Sequence, residues 1–142
     1  MLFRSVSQSR YETQEDLDRE REAIMALCAK TSSLPIKLPI AAHADYLMSR
    51  DGEAKAVAEV KCRKNARLTY DTYMLSKHKY EGLLSWANYG LTPILLVSWT
   101  DAIGYLKLPC PHDIAIGGRR DRGDAQDIEP VVHIKTSSFN LL

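Results

Sequence analysis

Ala54-Lys55-Ala56-Val57-Ala58-Glu59-Val60-Lys61-Cys62-Arg63 is the stretch on which the fold turns. It follows Ala44 to Arg50 and the turn-forming pair Asp51-Gly52, and so reads as the second strand of a β-hairpin. Alternate side chains of a strand share a face, so Glu59 and Lys61 project together while Ala58, Val60 and Cys62 turn the other way. A carboxylate beside an ammonium on such a strand is either an edge salt bridge or a reaction site. Asp45, on the preceding strand, decides between the two. An odd loop such as Asp51-Gly52-Glu53 sets Asp45 and Glu59 on one face, whereas a strict two-residue turn pairs Asp45 with Ala58 and separates the carboxylates. A reaction site therefore requires the odd loop.

Outward from the hairpin, helical spacing of Leu17, Ile24, Leu27 and Cys28 after the capping Thr13 predicts an amphipathic helix over residues 13–30. Pro35 and Pro39 interrupt the chain between this helix and the hairpin. A second helix is predicted from Thr69 to about Tyr89, with Tyr73, Tyr80, Leu84 and Ala87 on one face and Gly90 as its stop. Ile94 to Trp99 is short and continuously apolar, as in a strand buried on both faces, and Ile103 to Leu108 returns beside it. Residues 117–127 read as a surface loop before a last strand from Val131 to Thr136. The expected class is α/β, as one domain over residues 1–142.

Two carboxylates, Asp45 and Glu59, with the backbone carbonyl of Val60 make the hard oxygen set that Mg²⁺ prefers, leaving positions for water and a substrate phosphate. Such an ion stabilises the charge on a phosphodiester under attack and lowers the pKa of its bound water. Lys61 then positions or deprotonates the attacking water. Glu20 lies on the helix face shared with Leu17, Ile24 and Leu27, with Glu22 roughly opposite, and is the helix acid that faces the sheet. Its ordinary alternative is an ion pair on a solvated face.

These residues resemble the PD-(D/E)XK nuclease superfamily, whose pattern is an Asp on one strand and then Glu or Asp, any residue, and Lys on the next. The correspondence falls on Asp45, Glu59 and Lys61, with Ala44 standing where the pattern has proline. Within the superfamily the chain is most similar to archaeal-type Holliday junction resolvases of the Hjc group. Glu20-Arg21-Glu22-Ala23-Ile24 resembles their opening helix, and Gly90 to Val97 their strand after the second helix. The resemblance spans about residues 15–108. It implies a restriction-endonuclease-like α-β-β-β-α-β core with a mixed central sheet flanked by helices. By the same resemblance Glu20 is a metal-site residue beside Asp45, Glu59 and Val60, and the cofactor is Mg²⁺, with Mn²⁺ able to substitute. The implied partners are DNA, branched by preference, and a second copy of the chain.

Arg50, Arg63, Lys64, Arg67, Lys77, Lys79, Arg119, Arg120 and Arg122 are the candidates for phosphate contacts, with residues 61–67 adjoining the site and Lys77 assigned to the inner face of the second helix. His43 is a further candidate for contact with DNA or with the site. The net charge of only +1 means that any DNA surface must be a local basic patch. Val131, Val132, Ile134, Phe139, Leu141 and Leu142 form an apolar last segment and are the candidate dimer interface. The three cysteines, Cys28, Cys62 and Cys110, form no paired motif, and no zinc spacing is found among the four histidines. With no stretch near the roughly 20 apolar residues of a membrane span, a soluble cytoplasmic protein is expected.

Overall fold

The computed structural model describes residues 13–118 and 128–142. Helix α1 (Gln14–Thr31) opens in a capping box, where the Thr13 hydroxyl accepts from the Asp16 N–H and the Asp16 carboxylate accepts from the Thr13 N–H. Ala23, Ile24, Leu27 and Cys28 form its buried stripe, and Ser32, left-handed at φ 54°, closes it.

Strands β1 (Leu34–Lys37), β2 (Tyr46–Arg50) and β3 (Glu53–Cys62) follow, then β4 (Thr72–Ser76), α2 (Lys77–Leu84), β5 (Thr92–Ser98) and β6 (Ile103–Lys107). The chain ends in β7 (Asp113–Gly118), β8 (Ile128–Lys135) and β9 (Asn140–Leu141). The main sheet has the order β1-β2-β3-β5-β6-β9 and is mixed, since β3 and β5 run parallel and the other pairs are antiparallel. A second sheet, β4-β8-β7, packs with α2 on one face of it.

Period-2 alternation on β3 divides the core between the two faces. Ala56, Ala58 and Val60 meet α1 through Ile24, Leu27 and Cys28, with Met48, Ile94 and Leu96 beside them. Val57, Leu95 and Val97 meet Tyr73, Leu75, Leu83, Val132, Ile134 and Phe139 on the other face. Full burial of a side chain such as Leu27 or Leu95 stabilises by roughly 1.5–3 kcal/mol. Strand β5 is buried along nearly its whole length, as its unbroken apolar run predicts.

The hairpin corrects one expectation while meeting the demand that prompted it. Its loop is the strict two-residue turn Asp51-Gly52, both residues at positive φ (56° and 78°), with Arg50 opposite Glu53 and Ser49 opposite Ala54. The register then shifts between Ser49 and Met48, so that Met48 faces Ala56 and Tyr46 faces Ala58, which leaves Lys55 as the extra residue of a β-bulge. Turn chemistry sets the loop, and burial of Met48 with Ala56 and Ala58 sets the register. The bulge reconciles them and supplies the odd residue that the turn lacks.

The second helix begins later than its sequence pattern predicts. Residues 72–76 are a strand pairing with β8, because Tyr73 and Leu75 are buried while Met74 is exposed, a period of two that the 3.6-residue reading overrode. Ser76 caps the actual helix by accepting from the Lys79 N–H, and residues 85–89 tighten to a 3-10 turn before Gly90 at φ 77°. Strand β1, carrying Pro35, escaped the sequence reading, as edge strands with proline do. The predicted loop of residues 117–127 begins inside β7, and residues 119–127 lie outside the described part.

Val131, Val132, Ile134 and Phe139 belong to the core, so most of the apolar last segment packs on its own sheets and is no free interface; only Leu141 and Leu142 of that group are exposed. Among the described residues no helix is long and apolar enough to cross a membrane.

Candidate active site

Strand β2 stops at Tyr46, and the next residue back, Asp45, takes over the ladder. Its N–H donates to the Ala58 carbonyl at 2.9 Å, and its Oδ2 accepts from the Val60 N–H at 2.7 Å. The carboxylate thus stands where a further β2 carbonyl would stand and is fixed by the backbone of β3. In an extended residue N–H and C=O point to the same strand edge, so the Val60 carbonyl faces this side too, past the end of β2. Lys61 Nζ lies 3.0 Å from Glu59 Oε2, with side chains only 21% and 16% exposed.

Asp45, Glu59, Lys61 and the Val60 carbonyl therefore converge at one place. Glu20 arrives from α1, which covers the opposite face of the sheet, and joins them through a residue the sequence reading did not single out. Lys37, the last residue of β1, holds Glu20 Oε1 at 2.6 Å and Asp45 Oδ1 at 3.9 Å, with Nζ 4.7 Å from the centre of the Tyr46 ring. Its placement depends on β1, which is why the missed edge strand hid it.

Electrostatics single out Asp45 within the cluster. Burial first, and then the neighbouring Glu59 and Glu20 carboxylates, raise the pKa of Asp45 from 3.8 to about 6, against the opposing effects of the Val60 N–H and Lys37. For Lys61 burial works downward, but Glu59 outweighs it and the ammonium is held above its ordinary range. Lys79, from the first turn of α2, is within hydrogen-bonding reach of Lys61, and the charge of Lys61 together with burial depresses its pKa.

A hard cation fits this donor set: two opposed carboxylates, a main-chain carbonyl and a third acid within reach. Among the described residues no three metal-ligating side chains already stand close enough to enclose an ion, because Glu20 is turned onto Lys37 and Glu59 onto Lys61. Those two ammonium groups occupy the positions where the acids attract positive charge.

The segment carrying Asp45 is fastened from α2 and the 3-10 turn that follows it. The Trp86 indole donates to the Ala42 carbonyl at 3.0 Å, and His43, left-handed at φ 62°, rests on Gly82. A Cβ at Gly82 would stand 2.9 Å from His43 Nδ1 and 3.2 Å from its Cβ, so only glycine admits the loop so close. His43 is thus a spacer beside His78, with ring centroids 5.9 Å apart, and does not extend the strand face of Asp45. Gly82→Ala is expected to lower activity about tenfold or more by displacing Asp45, with a fall in Tm of only a few degrees. Rates measured beside a thermal melt check this; equal losses of fold and rate would contradict it.

The basic candidates divide. Arg50 Nη1 donates to the Thr31 carbonyl at 3.2 Å, at the hairpin tip far along the sheet from Asp45. Lys77 pairs with Glu81 at 3.0 Å on α2, so Lys79 and not Lys77 is the helix lysine that faces the site. Arg63 and Arg67 are tied to Tyr73 and to the Thr136 carbonyl, and Lys64 is exposed. Arg119, Arg120 and Arg122 lie outside the described residues. Arg19, not foreseen, bonds the Arg63 and Ser98 carbonyls at 2.9 Å each and so pins α1 to the ends of β3 and β5.

An aspartate at the end of one strand and Glu-x-Lys on the next, on a mixed sheet backed by a helix, define a PD-(D/E)XK nuclease core. Residues 6–142 match the family described as "Phage putative PDDEXK endonuclease", and the chain belongs to that family. Among solved structures, Hjc of Archaeoglobus fulgidus, a Holliday junction resolvase from an archaeal hyperthermophile, is similar with a TM-score of 0.58 at 13% identity, over 88% of this chain and 90% of that one. At that identity the likeness establishes the fold. A comparison with curated proteins found no match.

Proposed function

We propose that this endonuclease is a Mg²⁺-dependent, structure-selective enzyme that hydrolyses phosphodiester bonds in branched DNA, Holliday junctions first among them. The observation that carries the reading is the placement of Asp45 opposite Glu59, with Lys61 on the same face and the Asp45 carboxylate buried beside Glu59. Preference for a junction is supported by likeness of fold to the Archaeoglobus resolvase.

Asp45, Glu59 and the Val60 carbonyl are the groups that would hold the cation, with Glu20 as the further acid; Mn²⁺ is expected to substitute for Mg²⁺. When bound, the ion supplies charge stabilisation to the phosphodiester under attack and a water of lowered pKa. Asp45 is kept in place by the Val60 N–H, which fixes the donor set before substrate arrives. Lys61, which stands 3.0 Å from Glu59 on the same face, orients the attacking water. Lys79, the neighbouring cation of lowered pKa, contacts the scissile phosphate.

Two cuts at a symmetric junction need two sites, which a two-fold homodimer supplies. Incubation of labelled four-way junction, flap, duplex and single strand, each with Mg²⁺ or EDTA, tests the reading. Cleavage of the junction in Mg²⁺ alone is expected. Cleavage undiminished by EDTA, or none on any branched substrate, would overturn it. Light scattering with junction DNA is expected to give the mass of two chains per junction, and a mass of one chain would remove the dimer.

A further inference from the structure

Beyond Lys61 the same strand leads into a cavity of about 220 Å³, with Arg63, Asn65, Arg67, Tyr70, Tyr73 and Trp99 among its walls. Arg63 stacks over Tyr73, with its Cζ 4.6 Å from the ring centre, and donates to the Tyr73 hydroxyl at 2.7 Å. Arg67 Nη1 donates to the Thr136 carbonyl at 3.2 Å. These acceptors are neutral, and among the described residues neither guanidinium pairs with a carboxylate. Two guanidinium groups with no carboxylate partner of their side chains among the described residues thus stand at an aromatic-walled recess that begins two residues past Lys61, with Asp101 held on the Arg67 N–H at 2.8 Å. Tyr70 leaves 64% of its surface open, an exposed ring that the core does not explain.

We infer that this cavity is a subsite for one unpaired nucleotide of the DNA substrate, taking the base against Tyr70 and the aromatic walls and the phosphate on Arg63 and Arg67. Planar guanidinium groups with free donors match a phosphate. Every base offers a π-face to an aromatic ring, so the recognition is independent of sequence. Because Tyr73 joins its wall to the surroundings of Lys61, the nucleotide held here is next to the bond that is cut. A branch point, where stacking is interrupted, yields such a nucleotide at lower cost than uninterrupted duplex, which must first unstack one. This inference rests on the endonuclease reading and narrows its substrate to DNA in which a nucleotide beside the scissile phosphate is unpaired or is unpaired on binding.

Binding measured by anisotropy in EDTA tests it, with two probes of equal length: oligothymidylate and a deoxyribose-phosphate strand carrying no bases. The wild-type chain is expected to bind the thymidylate about tenfold more tightly. Tyr70→Ala is expected to remove most of that preference while leaving affinity for the baseless strand unchanged, and Tyr70→Phe to keep it. The Tyr70 side chain is exposed, so neither variant should disturb the fold. Equal binding of the two strands by the wild-type chain, a preference that survives Tyr70→Ala, or no binding of either strand would overturn the subsite. Mg²⁺-dependent cleavage of a junction by a chain that binds the two strands equally would overturn the subsite alone; failure to cleave any DNA would overturn the endonuclease reading itself.

Discussion

Glu59→Gln is expected to lower the single-turnover cleavage rate by about 10²–10³-fold while affinity for DNA in EDTA stays within about twofold. The substitution keeps the shape of the side chain but removes the charge that faces both the cation position and Lys61, 3.0 Å away. It removes no basic group, so the surface that meets phosphate is intact, and one negative charge fewer opposes the DNA. Glu59→Ala should behave alike in rate with a larger loss of stability, since the partly buried Lys61 loses its partner. Retention of more than about a tenth of the wild-type rate by either variant would remove Glu59 from the chemistry. Loss of DNA binding together with cleavage would point to misfolding, which a thermal melt detects.

The second large effect concerns stability and has the opposite sign from most active-site substitutions. Asp45 has its pKa raised from 3.8 to about 6 in the fold, chiefly by burial and then by Glu59. A raised carboxyl favours the proton-bound folded state, so this contribution is fully present below pH 3.8 and is lost as pH rises through about 6. Above that, holding the ionised carboxylate in the metal-free fold costs on the order of 3 kcal/mol, less at high salt. Asp45→Asn removes the charge and still accepts from the Val60 N–H. In EDTA at pH 8 the variant is therefore expected to melt about 5–10 °C above the wild-type chain, the gap closing as pH falls toward 4. Mg²⁺ should narrow the gap at pH 8 by stabilising only the wild-type chain. An Asn variant less stable than wild type at pH 8, or a gap that ignores pH, would contradict the charge balance of the site.

How much of this was legible beforehand depended on the range of the interactions involved. The pairing of Glu59 with Lys61 needed only the period of one strand, and α1 needed only its caps and apolar stripe. Opposition of Asp45 and Glu59 was readable as a requirement, but its cause was not. Asp51-Gly52 chose its own turn, and the bulge at Lys55 arose from packing of Met48 on Ala56 and Ala58, contacts between strands that no local pattern displays. Residues 72–76 were lost to a helix because Tyr73 and Tyr80 fit a helical spacing equally well; pairing with β8, more than fifty residues later, settled them as strand. Lys37 and Lys79 owe their roles to β1 and to the true start of α2, so errors in those elements concealed the one and exchanged the other for Lys77. Arg63 and Arg67 were legible as candidates for phosphate contact, but not as the lining of a recess. Their side chains have only neutral partners among the described residues, a property of tertiary structure.

The central claim is that Asp45 and Glu59 form one cation site, and Mn²⁺ binding followed by electron paramagnetic resonance tests it without reference to any DNA substrate. One site is expected in the wild-type chain, weakened at least about tenfold in Asp45→Asn and in Glu59→Gln and unchanged in Glu22→Gln, whose exposed acid lies away from the cluster. Equal Mn²⁺ affinity in all four proteins would contradict the account.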